Sequence, residues 1–224
     1  MPNITLAAAD GHTFSAYAAS AIGKPRGGLV VVQEIFGVNA HIRRVADGYA
    51  RDGYEVLAPA VFDRAERGTE LGYDKTDVDR GIALRASIPL EQMLHDIAAC
   101  ADALSMAGRV GIVGYCLGGS LAWLTACRLD GFAAAVGYYG GMIAANLGES
   151  PRIPVMLHFG EQDGGIPMTD VARIRAATDP AQVQIFTYPG AGHAFNRDGN
   201  QAYHPPSSDL ARSRTLAFLA EHVG

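Results

Sequence analysis

The sequence has few cysteines, no excess of basic charge and no long apolar run. Three cysteines among 224 residues are an odd and small number, so a disulfide framework is not expected. Eighteen Lys and Arg against 23 Asp and Glu give a formal charge of −5, and no basic stripe is present to neutralise nucleic-acid phosphates. No apolar run approaches the roughly 20 residues of a membrane span. We therefore expect neither a nucleic-acid partner nor a membrane partner.

Other signals are missing as well. No H-E-x-x-H or C-x-x-C spacing occurs, so we expect neither a metal site nor a cofactor. The N-terminal segment lacks a basic stretch followed by an apolar core, which predicts a cytoplasmic protein. Linkers, low-complexity tracts and repeats are not evident. With 49% hydrophobic residues, the chain is expected to form one domain over residues 1–224. A monomer is expected, although nothing in the sequence fixes the oligomeric state.

Apolar segments of strand length alternate with amphipathic segments along the chain. A hairpin over 4–6 and 13–18, turning at Asp10-Gly11, opens the chain. Strands are then predicted at 29–32, 54–58, 110–113, 133–138, 155–159 and 183–188, and helices at 41–51, 90–106, 117–129, 168–178 and 208–222. This alternation predicts an α/β fold, with a mostly parallel central sheet, helices on both faces and an N-terminal antiparallel hairpin. In such sheets a ligand binds beyond the carboxyl ends of the strands.

Cys116 is the most informative residue at a strand end. It lies in Gly114-Tyr-Cys116-Leu-Gly118, between an apolar strand and a helical pattern. Strand, sharp turn flanked by glycines, and helix is the arrangement of a nucleophile elbow, here with cysteine in the place of serine. A helix N-terminus beside the sulfur favours the thiolate. The pattern predicts a nucleophilic cysteine.

Other interpretations of this segment are weaker. A P-loop requires Lys-Ser/Thr directly after its last glycine, and here Gly119 is followed by Ser120. The glycine spacing also differs from the dinucleotide pattern G-x-G-x-x-G. A buried, inert cysteine remains the third alternative, because a free cysteine packs like a small hydrophobe.

A carboxylate and an imidazole follow two later strands. Asp163 comes after the strand at 155–159, and His193 lies in a glycine-rich loop after the strand at 183–188. Nucleophile, acid and histidine thus appear in the chain order of the α/β-hydrolase triad. Glu161 competes with Asp163 for the acid role, and Asp163 could also serve only as a turn former. His158 lies inside an apolar strand and is interpreted as a core residue.

Together these stretches resemble the dienelactone hydrolase family of α/β-hydrolases. The resemblance extends over nearly the whole chain and is carried by the segments at 33–40, 113–119, 135–140, 160–163 and 191–197. It implies a triad of Cys116, Asp163 and His193 that acts on an ester or lactone carbonyl through a thioester. It also implies an oxyanion hole formed by the backbone N–H groups of Ile35 and Leu117.

The same resemblance assigns further residues to the site. Glu34 corresponds to a glutamate that controls the resting thiol; its alternative role is a structural ion pair at the strand end. Arg197 matches a residue that binds the substrate carboxylate, the alternative being a surface arginine. A second such arginine is expected in the segment 73–85, where the register leaves two candidates. The remaining candidates for substrate binding are Arg80, Arg85, Tyr138 and Tyr139, the tyrosines alternatively closing the strand by aromatic packing.

The resulting hypothesis is a hydrolase that opens small anionic lactones similar to a dienelactone. Its expected partner is a small ester or lactone that carries a free carboxylate. A carboxylesterase or thioesterase with the same Cys-His-Asp machinery is the enzymatic alternative. A non-catalytic thiol sensor or binder that retains the fold is the alternative from another class.

Overall fold

The computed structural model describes residues 3–224 and is built around one eight-stranded sheet. In chain order the strands are β1 (Asn3–Ala7), β2 (Thr13–Ala19), β3 (Gly27–Val32), β4 (Tyr54–Pro59), β5 (Val110–Tyr115), β6 (Ala134–Tyr138), β7 (Val155–Gly160) and β8 (Val183–Tyr188). Their spatial order is β1-β2-β4-β3-β5-β6-β7-β8. The pairs β1/β2 and β2/β4 are antiparallel, and the strands from β4 to β8 are parallel. The mostly parallel sheet with an N-terminal hairpin is therefore confirmed.

Within the described part of the chain, six α-helices connect and cover the strands. They are α1 (Ala40–Arg51), α2 (Lys75–Ser87), α3 (Leu90–Leu104), α4 (Leu117–Arg128), α5 (Met168–Ala177) and α6 (Pro205–His222). Short 3₁₀ turns occupy Val61–Arg64, Ser105–Ala107 and Ile143–Ala145. No helix within residues 3–224 is long and apolar enough to cross a bilayer.

Helices lie on both faces of the sheet, as two neighbouring glycines of β3 show. A Cβ at Gly27 would meet Val223, directly after α6, whereas a Cβ at Gly28 would meet Leu104 at the end of α3. Because successive residues of a strand point to opposite faces, α6 and α3 cover opposite sides. The central strands β3 and β5 are buried at every residue, as expected of a sheet covered twice.

Helix α2 is the main element that the sequence pattern did not predict. Within the described residues, Gly81 is the only buried residue of α2. The helix therefore has no apolar stripe from which a period of 3.6 residues could be recognised. Its start does carry a local signal. The Asp74 carboxylate caps the helix by accepting a hydrogen bond from the Asp77 N–H at 2.9 Å.

Candidate active site

Cys116 occupies a strained turn between β5 and α4. Its backbone has φ 54° and ψ −109°, a conformation that costs energy for a residue with a side chain. The flanking glycines are required, because a Cβ at Gly114 or Gly118 would lie less than 3.0 Å from backbone atoms of Gly118 and Val32, respectively. The Cys116 N–H donates to the Tyr138 carbonyl at 3.0 Å and so ties the turn to the neighbouring strand β6. The turn leaves the thiol partly exposed beyond the strand ends.

The structure brings the thiol, an imidazole and a carboxylate into one hydrogen-bonded line. His193 Nε2 lies 3.2 Å from Cys116 Sγ, and His193 Nδ1 lies 2.7 Å from Asp163 Oδ2. The Asp163 side chain is fully buried, and its other oxygen accepts the N–H groups of Gly165 and Ile166 at 2.8 and 3.2 Å. Asp163 is thereby held in a single orientation toward the ring. Glu161, the competing carboxylate, instead accepts the hydroxyl of Thr187 at 2.9 Å.

His193 is poised to carry a proton at neutral pH. Burial disfavours the charged ring, but the hydrogen bonds to Asp163 and Cys116 outweigh it and raise the pKa of His193 from 6.5 to about 10. The protonated ring can donate to both neighbours at once, through Nδ1 to the carboxylate and through Nε2 to the sulfur.

We expect the ring of His193 to titrate near pH 10, as followed by NMR, instead of near its ordinary value of 6.5. Cys116→Ala removes one of the two hydrogen bonds that raise the pKa of His193 and is expected to lower this midpoint. The folded pKa exceeds the unfolded one, so the protonated ring stabilises the fold fully below pH 6.5. This contribution is lost as the pH rises toward 10. The stability advantage of wild type over His193→Gln should therefore shrink across that interval. A wild-type midpoint near 6.5 would contradict the pairing.

Glu34 forms a buried ion pair with Arg197. The carboxylate is fully buried and accepts two hydrogen bonds from the guanidinium, at 3.0 Å from Nε and 2.8 Å from an Nη atom. The guanidinium carbon also lies 4.9 Å from the centre of the Phe36 ring and 4.4 Å from that of Tyr73. Arg197 is thus not a surface arginine. Arg197 pairs with the charge of Glu34 and stacks on the rings of Phe36 and Tyr73. The sequence analysis did not identify these two rings.

The two residues that carry the candidate oxyanion donors line the same cavity as Cys116. Leu117 is the first residue of α4, where a backbone N–H has no partner within the helix. The N–H of Gly118 donates to the Gln33 carbonyl at 3.0 Å, which ties the start of α4 to the chain just before Ile35. Ile35, Leu117 and Cys116 line one cavity of about 180 Å³.

The wall of this cavity is mostly apolar and carries one arginine. Met142 and Ile166 complete the apolar part, and neither was identified from the sequence. Arg85 lies on the wall, with an Nη atom 3.0 Å from the Met142 sulfur. Arg80 points elsewhere and pairs with Glu66 on the protein surface. Of the two arginine candidates in the segment 73–85, the helical register of α2 places only Arg85 at the cavity.

Tyr138 and Tyr139 do not line the cavity, contrary to one of the two interpretations of them. Both side chains are fully buried. Tyr138 points toward α6, where its hydroxyl lies 2.7 Å from the Thr215 hydroxyl. Tyr139, at φ 39°, packs its ring against His193 with centroids 5.1 Å apart. Both tyrosines therefore pack in the core beside the site and do not face the substrate cavity. His158 is confirmed as a core residue, with its ring nitrogens 2.8 Å from the Tyr188 hydroxyl and 3.1 Å from the Thr215 hydroxyl.

Comparison with known proteins matches this arrangement to one family. The family model described as "Dienelactone hydrolase family" matches residues 14–223. The chain belongs to the dienelactone hydrolase family. A carboxymethylenebutenolidase of Pseudomonas putida is 34% identical, with 97% of this chain and 95% of the relative covered. A protein of Azospirillum brasilense, provisionally named a carboxymethylenebutenolidase, is 36% identical over the full length of both chains.

Solved structures agree with the family. A crystal structure of a Klebsiella pneumoniae protein, provisionally named a dienelactone hydrolase, superposes with a TM-score of 0.83 at 30% identity and covers 99% of this chain and 100% of its own. The α/β-hydrolase fold is thereby confirmed. Membership of the dienelactone hydrolase family supports a hydrolase that acts on lactones or esters. Among residues 3–224, no group of three or more His, Cys, Asp or Glu side chains is arranged to hold a metal ion.

Proposed function

We propose that the protein opens small anionic lactones by nucleophilic catalysis at Cys116, without a metal or cofactor. The observation that carries this proposal is the hydrogen-bonded line of Cys116, His193 and Asp163 at the edge of a cavity with one arginine. Nucleophile, base and orienting carboxylate are within hydrogen-bonding reach of one another, as such catalysis requires. The family to which the chain belongs supports the lactone as the substrate class.

The first half-reaction forms a thioester. The thiolate of Cys116 attacks the lactone carbonyl carbon while His193 holds the proton. The N–H groups of Ile35 and Leu117 donate to the oxygen that becomes negatively charged, and one such donor typically contributes about 3 kcal/mol in the transition state. When the tetrahedral intermediate collapses, the ring C–O bond breaks, and the leaving oxygen takes the proton from His193 Nε2.

The second half-reaction releases the acid. A water molecule gives a proton to the now neutral His193 and attacks the thioester carbonyl. The C–S bond breaks, the carboxylic acid product leaves, and the thiolate is restored beside the protonated imidazole. Asp163 keeps the ring oriented in both halves, because its buried carboxylate accepts from Nδ1 throughout.

Arg85 is proposed as the first contact for the substrate carboxylate. Its guanidinium lies on the wall of the cavity, whereas Arg197 is already neutralised by Glu34. Arg197 meets a substrate carboxylate only after its bonds to Glu34 have been given up. We propose that the freed Glu34 then influences the protonation of Cys116 and so couples thiol reactivity to substrate binding.

The apolar part of the cavity favours a second candidate function. Ile35, Leu117, Met142 and Ile166 offer no partner for a charged group. A carboxylesterase or thioesterase that takes a neutral acyl group would use the same Cys116, His193 and Asp163. The effect of removing the Arg85 charge on each substrate distinguishes the anionic lactone from the neutral ester.

Hydrolysis of a dienelactone and of its uncharged methyl ester tests the proposed substrate class. We expect wild type to prefer the anionic lactone. In Arg85→Ala, KM for that substrate should rise about 10- to 100-fold, the equivalent of one lost charged hydrogen bond, with the neutral ester spared. Arg80→Ala is the matched control from the same helix and should leave both substrates unchanged. Equal effects of Arg85→Ala on both substrates would favour the esterase alternative.

A further inference from the structure

Helix α2 makes its closest approach to the active site at one glycine. A Cβ at Gly81 would lie less than 3.0 Å from the Ile35 carbonyl oxygen and 3.2 Å from its carbonyl carbon. The helix therefore approaches the backbone of Ile35 more closely than any residue with a side chain allows. Ile35 is also the residue whose N–H is proposed to hold the oxyanion.

Arg85 lies one helical turn beyond Gly81. Residues four apart in a helix share a face, so the face that meets Ile35 through Gly81 is the one that presents Arg85 to the cavity. At the far side of the cavity, Arg85 contacts the Met142 sulfur at 3.0 Å. The Met142 N–H in turn donates at 3.0 Å to the hydroxyl of Ser120, in the helix that follows the nucleophile. The close approach at Gly81 and the contacts of Arg85 therefore lie on the side of α2 that faces the cavity.

A side chain at position 81 would displace the helix and leave the strand end in place. Ile35 lies between Glu34, which is held by two hydrogen bonds to Arg197, and Phe36, which is 4% exposed. In contrast, the outer side of α2 is in solvent, with Ile82 at 53% exposure. The ion pairs that Lys75 and Arg80 make there are exposed, and exposed pairs hold a helix weakly. We therefore expect α2, which is held less firmly than the strand end at Ile35, to move.

We propose that Gly81 is a positioning residue, which sets Arg85 at the distance from Cys116 that recognition of an anionic substrate requires. The proposal rests on the role assigned to Arg85 in the proposed function. Gly81 touches no substrate and acts only through the placement of α2. Any larger residue at this position is expected to weaken the charge preference of the site while the nucleophile itself stays intact.

Alkylation of Cys116 tests this placement without any turnover. Iodoacetate and iodoacetamide modify the same sulfur, but only iodoacetate is an anion, so the ratio of their rates measures the nearby positive charge. We expect Arg85→Ala to lower this ratio about 3- to 30-fold. Gly81→Ala should lower it to a similar extent, and the double variant should show no further loss. Alanine favours a helix more than glycine does, so unfolding of α2 is not the expected cause, and a thermal melt checks this.

Ile82→Ala, the exposed neighbour, is the matched control and should keep the wild-type ratio. A wild-type ratio in Gly81→Ala together with a lowered ratio in Arg85→Ala would overturn the positioning role and leave the proposed function intact. Equal slowing of both reagents in Gly81→Ala would also overturn it, because the substitution would then affect the sulfur itself. An unchanged ratio in Arg85→Ala would remove the charge role of Arg85, and the positioning role with it. Failure of the proposed function is seen separately, as an absence of lactone hydrolysis by wild type.

Discussion

Cys116→Ala is expected to lower kcat/KM for lactones and esters by about four to six orders of magnitude, the range seen when a triad nucleophile is removed. The sulfur is the only group of the hydrogen-bonded line that can form a bond to the carbonyl carbon, because His193 and Asp163 are arranged behind it. What activity remains would come from the oxyanion donors and from binding.

Three further observations sharpen this test. Cys127→Ala, at the cysteine that lies within α4 and outside the site, should keep wild-type activity. Cys116→Ser should fall between wild type and the alanine variant, because a hydroxyl gives up its proton less readily than a thiol. Mass spectrometry during turnover of p-nitrophenyl acetate should detect an acetyl group on Cys116. Hydrolysis that persists in Cys116→Ala would show that the site is not the one we describe, and no hydrolysis in wild type would favour the sensor or binder.

Glu34→Gln is expected to destabilise the protein by about 3–5 kcal/mol, the cost of leaving a buried charge without its partner. The carboxylate is fully buried and the Arg197 side chain is 10% exposed, so water does not take over the lost hydrogen bonds. Urea unfolding at neutral pH measures the change. The double variant Glu34→Gln/Arg197→Met should recover most of the loss, because it removes both charges together.

Lys75→Ala provides the contrasting measurement. It breaks an ion pair whose two side chains are 87% and 60% exposed, and it should cost less than about 1 kcal/mol. If Glu34→Gln costs no more than Lys75→Ala, the buried pair does not have the structural importance that its geometry indicates.

The same Glu34 variant tests the proposed control of the thiol. A rate of alkylation by iodoacetamide that matches wild type, with and without a substrate analogue, would exclude that control.

The sequence predicted the centre of the site better than its walls. Cys116, Asp163 and His193 each follow a buried strand, and the carboxyl ends of parallel strands meet at one edge, so their proximity followed from the pattern of apolar runs. Their catalytic roles remain predictions. The choice between Arg80 and Arg85 could not be made, because α2 buries one glycine and leaves no apolar period to set its register.

The tyrosines show a second limit of the sequence pattern. Strand alternation indicates which residues change face, but it does not follow the chain past the strand end. Tyr139 comes directly after β6 and adopts φ 39°; its ring packs on His193 and is not part of the cavity wall. The aromatic rings around Arg197 were missed for a related reason: Phe36 and Tyr73 are 37 positions apart, and only the fold brings them to the same guanidinium.

The shallow seating of α2 has a consequence for how this protein can evolve. The three residues of the proposed triad follow strands that the whole core holds in place, where most substitutions are costly. Arg85, the proposed contact for the substrate carboxylate, lies on a helix with a single buried residue. Mutations along the outer turns of that helix can accumulate at little cost in stability and re-aim its inner face. If Arg85 has the proposed role, substitutions in this one peripheral helix change the substrate preference while the residues at the strand ends stay as they are.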